Sequence, residues 1–124
     1  MQSENIFIQK SFNFAVKIVQ FCNSTKNNYQ QNILNKQLLR SGTAVGALIR
    51  EAQNAESKAD FIHKLAIAQK ECDESCYWLE ILNKTKMIDG LVYKELHFEA
   101  SSLLRLIRSA IITTKTKMKN KEYL

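Results

Sequence analysis

Six basic side chains crowd the C-terminal end of this 124-residue sequence and could bind phosphate groups: Arg105, Arg108, Lys115, Lys117, Lys119 and Lys121. Glu122 is the one acidic residue between positions 105 and 124, so this end carries most of the formal net charge of +6. Contacts with a phosphate backbone need only positive charge and reach, and they carry no sequence information. The pattern indicates weakly sequence-specific binding of RNA or DNA. The alternative is a solvated helix end whose lysines complement the helix dipole.

Carboxylates in the middle of the chain are the second candidates for chemistry. Glu51 and Glu71 could act as an acid–base pair, or several glutamates could hold two metal ions. Di-iron bundles, however, carry Glu-x-x-His on two helices, and neither His63 nor His97 stands in that motif. Basic residues accompany the carboxylates: Arg40, Arg50 and Lys70. We therefore predict solvated or interhelical salt bridges, no enzyme activity, no metal and no cofactor. A metal-binding or enzymatic bundle with a site among these carboxylates is the alternative function.

The sequence contains three cysteines: Cys22, Cys72 and Cys76. An odd number argues against a disulfide framework, and the N-terminus lacks the pattern of a signal peptide, so we expect a cytoplasmic protein without membrane contact. Cys72 and Cys76 are one helical turn apart on or beside an apolar stripe, and neither histidine has a metal-binding spacing to them. Free cysteine usually packs as a small hydrophobic residue, so we expect them in the core.

Small and aromatic residues mark surfaces where another helix could pack. Gly42 and Gly46 stand inside a helical pattern, where each costs about 1 kcal/mol relative to alanine, so a close helix contact is the expected reason for them. Tyr77 and Trp78 are adjacent in a helix and cannot both point into one core, so one of them should be half exposed. The sequence leaves open whether these four residues pack within one bundle or between subunits.

The elements that position these groups are helices. The sequence is 45% hydrophobic with no proline and three glycines, which favours one all-α domain over residues 1–124. Between Gln37 and Leu82, two helical patterns stand back to back with Ser57 as an N-cap between them. Their inward residues are predicted to be Leu34, Leu38, Ser41, Val45, Leu48, Ala52 and Ala55, then Phe61, Leu65, Ala68, Cys72, Ser75, Leu79 and Leu82. So short a connection makes an antiparallel helical hairpin.

Two further helices should cover this hairpin, one on each side of it in sequence. The first helix is predicted from about Asn5 to Ser24, and the second is predicted to start near Asn32. The third is predicted from Ala59 to about Lys86. The fourth is predicted to start near Val92, after an Asp89-Gly90 turn. The core seam of the first helix is Phe7, Phe14, Ile18 and Phe21. Residues 23–31 read as a polar loop, and the basic tail at 115–124 is predicted to fray. These elements predict an antiparallel up-down-up-down four-helix bundle.

The hairpin resembles a bacterial family of four-helix bundles, first described as proteins encoded in intervening sequences of 23S ribosomal RNA genes. Its best-matching points are RSGT at 40–43, REA at 50–52, DF at 60–61, KE at 70–71 and YWL at 77–79. The resemblance covers nearly the whole chain and departs at Ala44 and Leu48, where the family pattern has Ser and Asn. The family is related to the accessory variability proteins of diversity-generating retroelements. The resemblance implies a non-catalytic accessory protein that assembles and presents a basic surface to nucleic acid.

The protein is expected to assemble with copies of itself. The first helix is apolar on two adjoining seams, and Tyr77, Trp78 and Ile81 lie beside the core stripe of the third helix, so apolar surface should remain exposed. Cyclic symmetry closes identical contacts without forming fibres. The resemblance implies a ring of five subunits, a homopentamer.

Overall fold

The computed structural model describes residues 2–25 and 28–122, and the side chains of residues 6–25 and 28–120. Four α-helices make up this part of the chain: α1 (Gln2–Ser24), α2 (Tyr29–Ala52), α3 (Lys58–Lys84) and α4 (Gly90–Glu122). Each helix packs against the next one in sequence, and α1 also packs against α4. These contacts close a square in which neighbouring helices run antiparallel. The prediction of an all-α, up-down-up-down four-helix bundle is confirmed.

An apolar core fills the centre of the square, because each helix turns residues spaced by three and four inward. The largest fully buried side chains come from all four helices: Phe14, Ile18, Leu38, Val45, Ile49, Leu65, Cys72, Leu79, Leu82, Leu96, Leu103 and Ile107. The predicted seams of α1 and α3 are buried, apart from a half-buried Phe61. Among the helices described, none has an apolar stretch long enough to cross a membrane.

Helix α2 is rotated relative to its predicted stripe. The predicted positions that are buried are Leu38, Ser41, Val45 and Ala52. Leu34 and Leu48 are only half-buried at the edge of the core, and Ala55 lies beyond the end of the helix. Asn35 and Ile49 take inward positions instead. The spacing of apolar residues alone does not locate the buried face of α2, because this face includes the polar residue Asn35.

Helix α2 also begins at Tyr29, before the predicted start near residue 32. Asn28 caps it, since its side-chain oxygen accepts a hydrogen bond from the backbone N–H of Gln31 at 2.8 Å. Gln31 then donates to the side chain of Asn35 at 3.0 Å, and Asn35 donates to Thr25 Oγ1 at 2.7 Å. Three described residues of the predicted polar loop, Thr25, Asn28 and Gln31, therefore form a cap and, with Asn35, a polar network that joins α1 to α2.

Helix α3 begins after its predicted N-cap, Ser57, and ends at Lys84, slightly before the predicted end. Two backbone hydrogen bonds close its C-terminus: Met87 N–H donates to the Leu82 carbonyl at 2.8 Å, and Lys86 N–H donates to the Asn83 carbonyl at 3.1 Å. This is a Schellman motif, whose central residue takes a left-handed conformation. Here that residue is Lys86, with φ of 60°.

Helix α4 starts at Gly90 and not after a separate Asp89-Gly90 turn. The carboxylate of Asp89 accepts hydrogen bonds from the backbone N–H groups of Leu91 at 3.0 Å and Val92 at 3.3 Å, which caps the helix. At its other end α4 remains helical to Glu122, through most of the basic tail that the sequence predicts to fray. Residues 123 and 124 of that tail lie outside the described residues.

Candidate nucleic-acid interface

The C-terminal part of α4 runs to the end of the bundle and beyond it. Ile6 and Phe7, near the start of α1, line a cavity together with Thr113 and Lys117 of α4. Because the two helices are antiparallel and rise equally per residue, the first residues of α1 lie about level with Lys117. Helix α4 continues to Glu122, so about one more turn projects past the end of α1.

Four basic side chains line one exposed face of this part of α4. Arg105, Arg108, Lys115 and Lys119 are all exposed, and we call them the basic ridge. With Ile112 between them, the intervals are three, four, three and four residues, which places them on one side of a helix. Among the described side chains, no carboxylate pairs with a member of the ridge. The ridge therefore presents its charge to solvent.

Two of the acidic residues of α4 are turned away from the ridge. Glu95 and Glu99 face α1, where Lys17 Nζ donates to Glu95 Oε1 at 2.8 Å and to Glu99 Oε2 at 2.6 Å. Lys17 holds both carboxylates from one position, and their hydrogen bonds raise the pKa of its ammonium group. One lysine thus neutralises much of the acidic charge next to the ridge, a role that the sequence analysis missed because the partners are 78 and 82 residues away.

The other two predicted basic residues do not belong to this face. Lys117 lies on the α1 side, where it lines the cavity with Ile6 and Phe7. The side chain of Lys121 lies outside the described side chains. Residues that alternate along a sequence share a side only in an extended chain, whereas in a helix they diverge by about 200°. The basic residues from 115 to 121 therefore do not form a single surface.

Comparison with known proteins identifies the family. The model of the 23S rRNA-intervening sequence protein family matches residues 3–109, which is most of the chain. The chain belongs to this family. A crystal structure of a protein of unknown function from the S23 ribosomal protein family of Bacteroides thetaiotaomicron is also similar, with 42% sequence identity and a TM-score of 0.83. That match covers 88% of this chain and 97% of the other. A search of curated proteins finds no match.

The family match ends inside the basic ridge of this 23S rRNA-intervening sequence family member. Arg105 and Arg108 lie within the matched residues 3–109, whereas Lys115 and Lys119 lie beyond them. The outer half of the ridge is therefore not part of what the family model describes. The relation to retroelement accessory proteins, which the sequence resemblance implies, stays a prediction.

The two glycines of α2 lie against α1 of the same chain. A Cβ atom added at Gly42 would be 3.0 Å from Ile18 Cγ1, and one added at Gly46 would be 3.2 Å from the backbone oxygen of Ser11. Either distance is shorter than an ordinary van der Waals contact, so the absence of a side chain lets the two helices approach. The small patch that the sequence singled out is thus occupied within the bundle.

Tyr77 and Trp78 lie on α3, away from the ridge. Tyr77 is 56% exposed, whereas Trp78 is half-buried and donates from Nε1 to Glu74 Oε2 at 2.8 Å. The two rings meet edge to face, with centroids 5.0 Å apart. Arg40 of α2 binds the carboxylates of Glu74 and Glu71, so the Trp78 ring is fixed to an ion-pair cluster that joins the two helices.

The hairpin carboxylates are separated by their basic partners. Glu71 pairs with Arg40 at 2.9 Å, and Glu51 pairs with Lys64 at 3.5 Å. Arg50 lies over the ring of Phe12, 5.9 Å from its centroid, and Lys70 is exposed to solvent. Within the described side chains, no three potential metal ligands come together. The arrangement gives Glu51 and Glu71 structural partners and does not bring them to a shared site.

The cysteines are held as thiols by burial. Desolvation raises the pKa of Cys72 to about 12 and that of Cys76 to about 11, from an ordinary 9.0. It also raises the pKa of the half-buried Cys22 to about 11. Cys72 donates to the carbonyl of Ala100 at 3.2 Å, which links α3 to α4. These thiols pack the core and are poor nucleophiles at neutral pH.

Proposed function

We propose that this chain is a non-catalytic bundle protein of the cytoplasm that binds RNA or DNA through its basic ridge and assembles with copies of itself. One observation carries the proposal: α4 remains helical past the core and holds Arg105, Arg108, Lys115 and Lys119 on one exposed face. Positive side chains on a rigid rod can contact successive phosphates while the bundle stays unchanged. The names of the family and of the B. thetaiotaomicron relative refer to 23S rRNA and to S23 ribosomal proteins, so RNA is the first ligand to test.

Binding of this kind should depend little on sequence. Base-edge recognition requires a reading element that enters a groove and offers hydrogen-bond donors and acceptors. The ridge instead offers the charged ends of its two arginines and two lysines, with the exposed Ile112 between them. Such groups neutralise phosphates and release counterions, which gives affinity that falls steeply with salt.

Assembly is the second part of the proposal. Three apolar side chains of α1 form an exposed stripe at intervals of four and three: Phe12, Val16 and Val19. Beside Phe12 lies a groove of about 460 Å³ between α1 and α2, with Ala15, Gly46 and Ala47 among its lining residues. A second copy that covers this stripe would remove it from water. The family resemblance implies a ring of five subunits. In such a ring the five basic ridges would together form one charged surface.

A triple substitution tests the ridge. Arg108→Gln, Lys115→Gln and Lys119→Gln together should weaken the binding of a fluorescein-labelled 20-nucleotide RNA in anisotropy titrations. The slope of log K against log salt should fall by about 2, because each lost phosphate contact contributes about 0.7 with a single strand. The matched control removes the same charge elsewhere, at the exposed Lys36, Lys70 and Lys84, and should change the slope little. Equal effects of the two triple variants would show that net charge alone binds the RNA and would overturn the ridge.

A helix-breaking substitution tests whether the geometry of the ridge matters beyond its charge. Thr116→Pro removes a backbone hydrogen bond and clashes with the preceding turn, so it should break α4 after its last buried apolar residue, Ile111. Lys119 would then leave the line of Arg105 and Arg108, and RNA affinity should fall although the charge is unchanged. Thr116→Ala keeps the helix and should bind like the parent chain. Full affinity in the proline variant would contradict the proposed rigid ridge.

A further inference from the structure

We propose that the outer face of α4 selects single-stranded nucleic acid, with the ring of Phe98 stacking on an unpaired base and Lys94 and Arg105 holding the phosphates on either side. This inference rests on the proposed nucleic-acid binding and adds the form of the ligand. Phe98 is 67% exposed, although an aromatic ring of this size is normally covered. Nothing in the sequence analysis or in the family match assigns it a role.

Phe98 lies in line with the basic ridge. Leu91, Phe98, Arg105 and Ile112 follow one another at intervals of seven residues, and all four are exposed. Seven residues are nearly two helical turns, so these side chains share the outer face of α4 at a spacing of about 10.5 Å. The ridge therefore continues toward the N-terminus of α4 as a surface that carries both apolar and basic groups.

The Arg105 side chain is held toward Phe98. Its Nη2 donates to Ser102 Oγ at 3.2 Å, three residues earlier in the helix. This hydrogen bond draws the guanidinium group back along α4 to the level of Ser102, one turn of about 5.4 Å from Phe98. A phosphate bound there would be next to the nucleotide whose base covers the ring. The exposed Lys94 lies one turn away on the other side of Phe98 and can reach the preceding phosphate.

The charge around Phe98 fits the same ligand. Glu95 and Glu99 are the carboxylates closest to it in sequence, and Lys17 of α1 binds both of them. The nearby Glu80 of α3 is paired with His97 at 2.9 Å. The acidic groups beside the ring therefore already have hydrogen-bonding partners, Lys17 and His97, while Lys94 and Arg105 are left to meet an anionic strand.

A single strand fits this surface better than a duplex does. In a duplex the faces of the bases are covered by their neighbours, so a ring on a convex helix has nothing to stack on. In a single strand every base offers a face, and stacking on an aromatic side chain tolerates any sequence. A lipid surface is less suitable, because Lys94, Ser101 and Ser102 flank Phe98 and the next exposed apolar residue in line with it, Leu91, lies nearly two turns away.

The test compares three ligands and three variants of the full chain. The ligands are labelled 20-nucleotide oligo(U), oligo(dT) of the same length, and a 20-base-pair duplex at one salt concentration. The expected order is tighter binding of the single strands than of the duplex. Phe98→Ala should weaken single-strand binding about tenfold and leave duplex binding unchanged, whereas Phe98→Trp should keep the preference. Tyr29→Ala, which removes another exposed aromatic ring, should change nothing.

The outcomes separate this inference from the proposed function. Equal loss with oligo(U) and oligo(dT) supports stacking on any single strand, and a loss confined to one of them supports stacking on that kind of strand. If Phe98→Ala binds all ligands like the parent while the ridge variant remains weak, the stacking site is overturned and the phosphate site stands. If the parent chain binds none of the ligands, both are overturned. Phe98-dependent binding to phosphatidylglycerol vesicles without oligonucleotide binding would overturn both in favour of a membrane surface.

Discussion

Gly46 lies where even one methyl group would press on the backbone of α1. The nearest atom to an added Cβ is the backbone oxygen of Ser11 at 3.2 Å, and a backbone atom inside a helix cannot move aside easily. Gly46→Ala gains about 1 kcal/mol of helix propensity but should lose more by overpacking, which costs about 1–3 kcal/mol. We expect a net loss of about 1 kcal/mol for Ala and about 3 kcal/mol for Leu in urea unfolding.

Gly90→Ala is the matched control for this prediction. Nothing lies within 4 Å of a Cβ added at Gly90, so alanine there should leave stability unchanged or raise it by up to about 1 kcal/mol. Equal stabilisation by Ala at positions 46 and 90 would show that the contact between α1 and α2 can accommodate a methyl group.

The sequence could predict a close contact at Gly46, because glycine destabilises a helix and a close helix contact is the expected reason for keeping it. It could not name Ser11 as the partner, because no pattern in α1 marks that position.

The buried thiols predict a loss of stability at alkaline pH. Burial raises the pKa of Cys72 to about 12 and of Cys76 to about 11, so both stay protonated in the folded chain when the unfolded chain has lost these protons near pH 9. Above that pH the unfolded state binds fewer protons, and stability must fall as pH rises from about 9 toward 11–12. The melting temperature of the double variant Cys72→Ala, Cys76→Ala should fall less over this range. Parallel curves would contradict the desolvation of the thiols.

At the scale of the element, the end of α3 contains a residue in a strained conformation. Lys86 holds the left-handed position of the Schellman motif, with φ of 60°, and a side chain there costs about 1–2 kcal/mol relative to glycine. Lys86→Gly should therefore raise the free energy of unfolding by about 1 kcal/mol in thermal or urea melts. Lys84→Gly, inside the helix two residues earlier, should lower it by a similar amount. A destabilising Lys86→Gly would show that the turn adopts another conformation.

The helices themselves could be predicted, together with the rotation of α1 and α3 and the N-cap of α3, but the start and the rotation of α2 could not. Apolar residues spaced by three and four define the cores of α1 and α3 because burial is what fixes those positions. The start of α2 could not be predicted, because Gln31 and Asn35 are polar and yet buried, with their hydrogen bonds met by each other and by Thr25. The continuous helix after residue 115 was equally hidden, since exposed lysines and threonines give no core signal.

At the scale of the whole molecule, the exposed apolar stripe of α1 predicts an assembly. Phe12 is 54% exposed, and its ring lies beside Arg50 at the edge of the groove between α1 and α2. Light scattering should give a mass of several chains for the parent protein at micromolar concentration. Phe12→Glu should shift that mass toward one chain while the helical circular dichroism stays unchanged, because the residue contributes nothing to the core. A monomeric parent would refute the oligomer, and a stable dimer would refute the ring.

The control for this experiment is Leu91→Glu, which changes another exposed apolar residue, on α4 and away from the groove. It should leave the mass unchanged. Dissociation by Leu91→Glu alone would move the interface from α1 to α4.

The candidate site could be predicted from sequence only as a basic end, because which lysines share a face depends on whether the segment is helical.

The last turns of α4 can change over evolutionary time without endangering the rest of the protein. Ile111 is the last apolar residue of α4 in the core, and the exposed positions after it, such as Lys115, Thr116 and Lys119, meet solvent, so substitutions there carry little folding cost. The spacing and number of lysines there are free to drift or to be selected for a new ligand, on a scaffold that need not be rebuilt. Relatives of this chain should therefore differ most in the length and charge of this helical extension. The extension could also be replaced by a helical segment of different charge without redesign of the core.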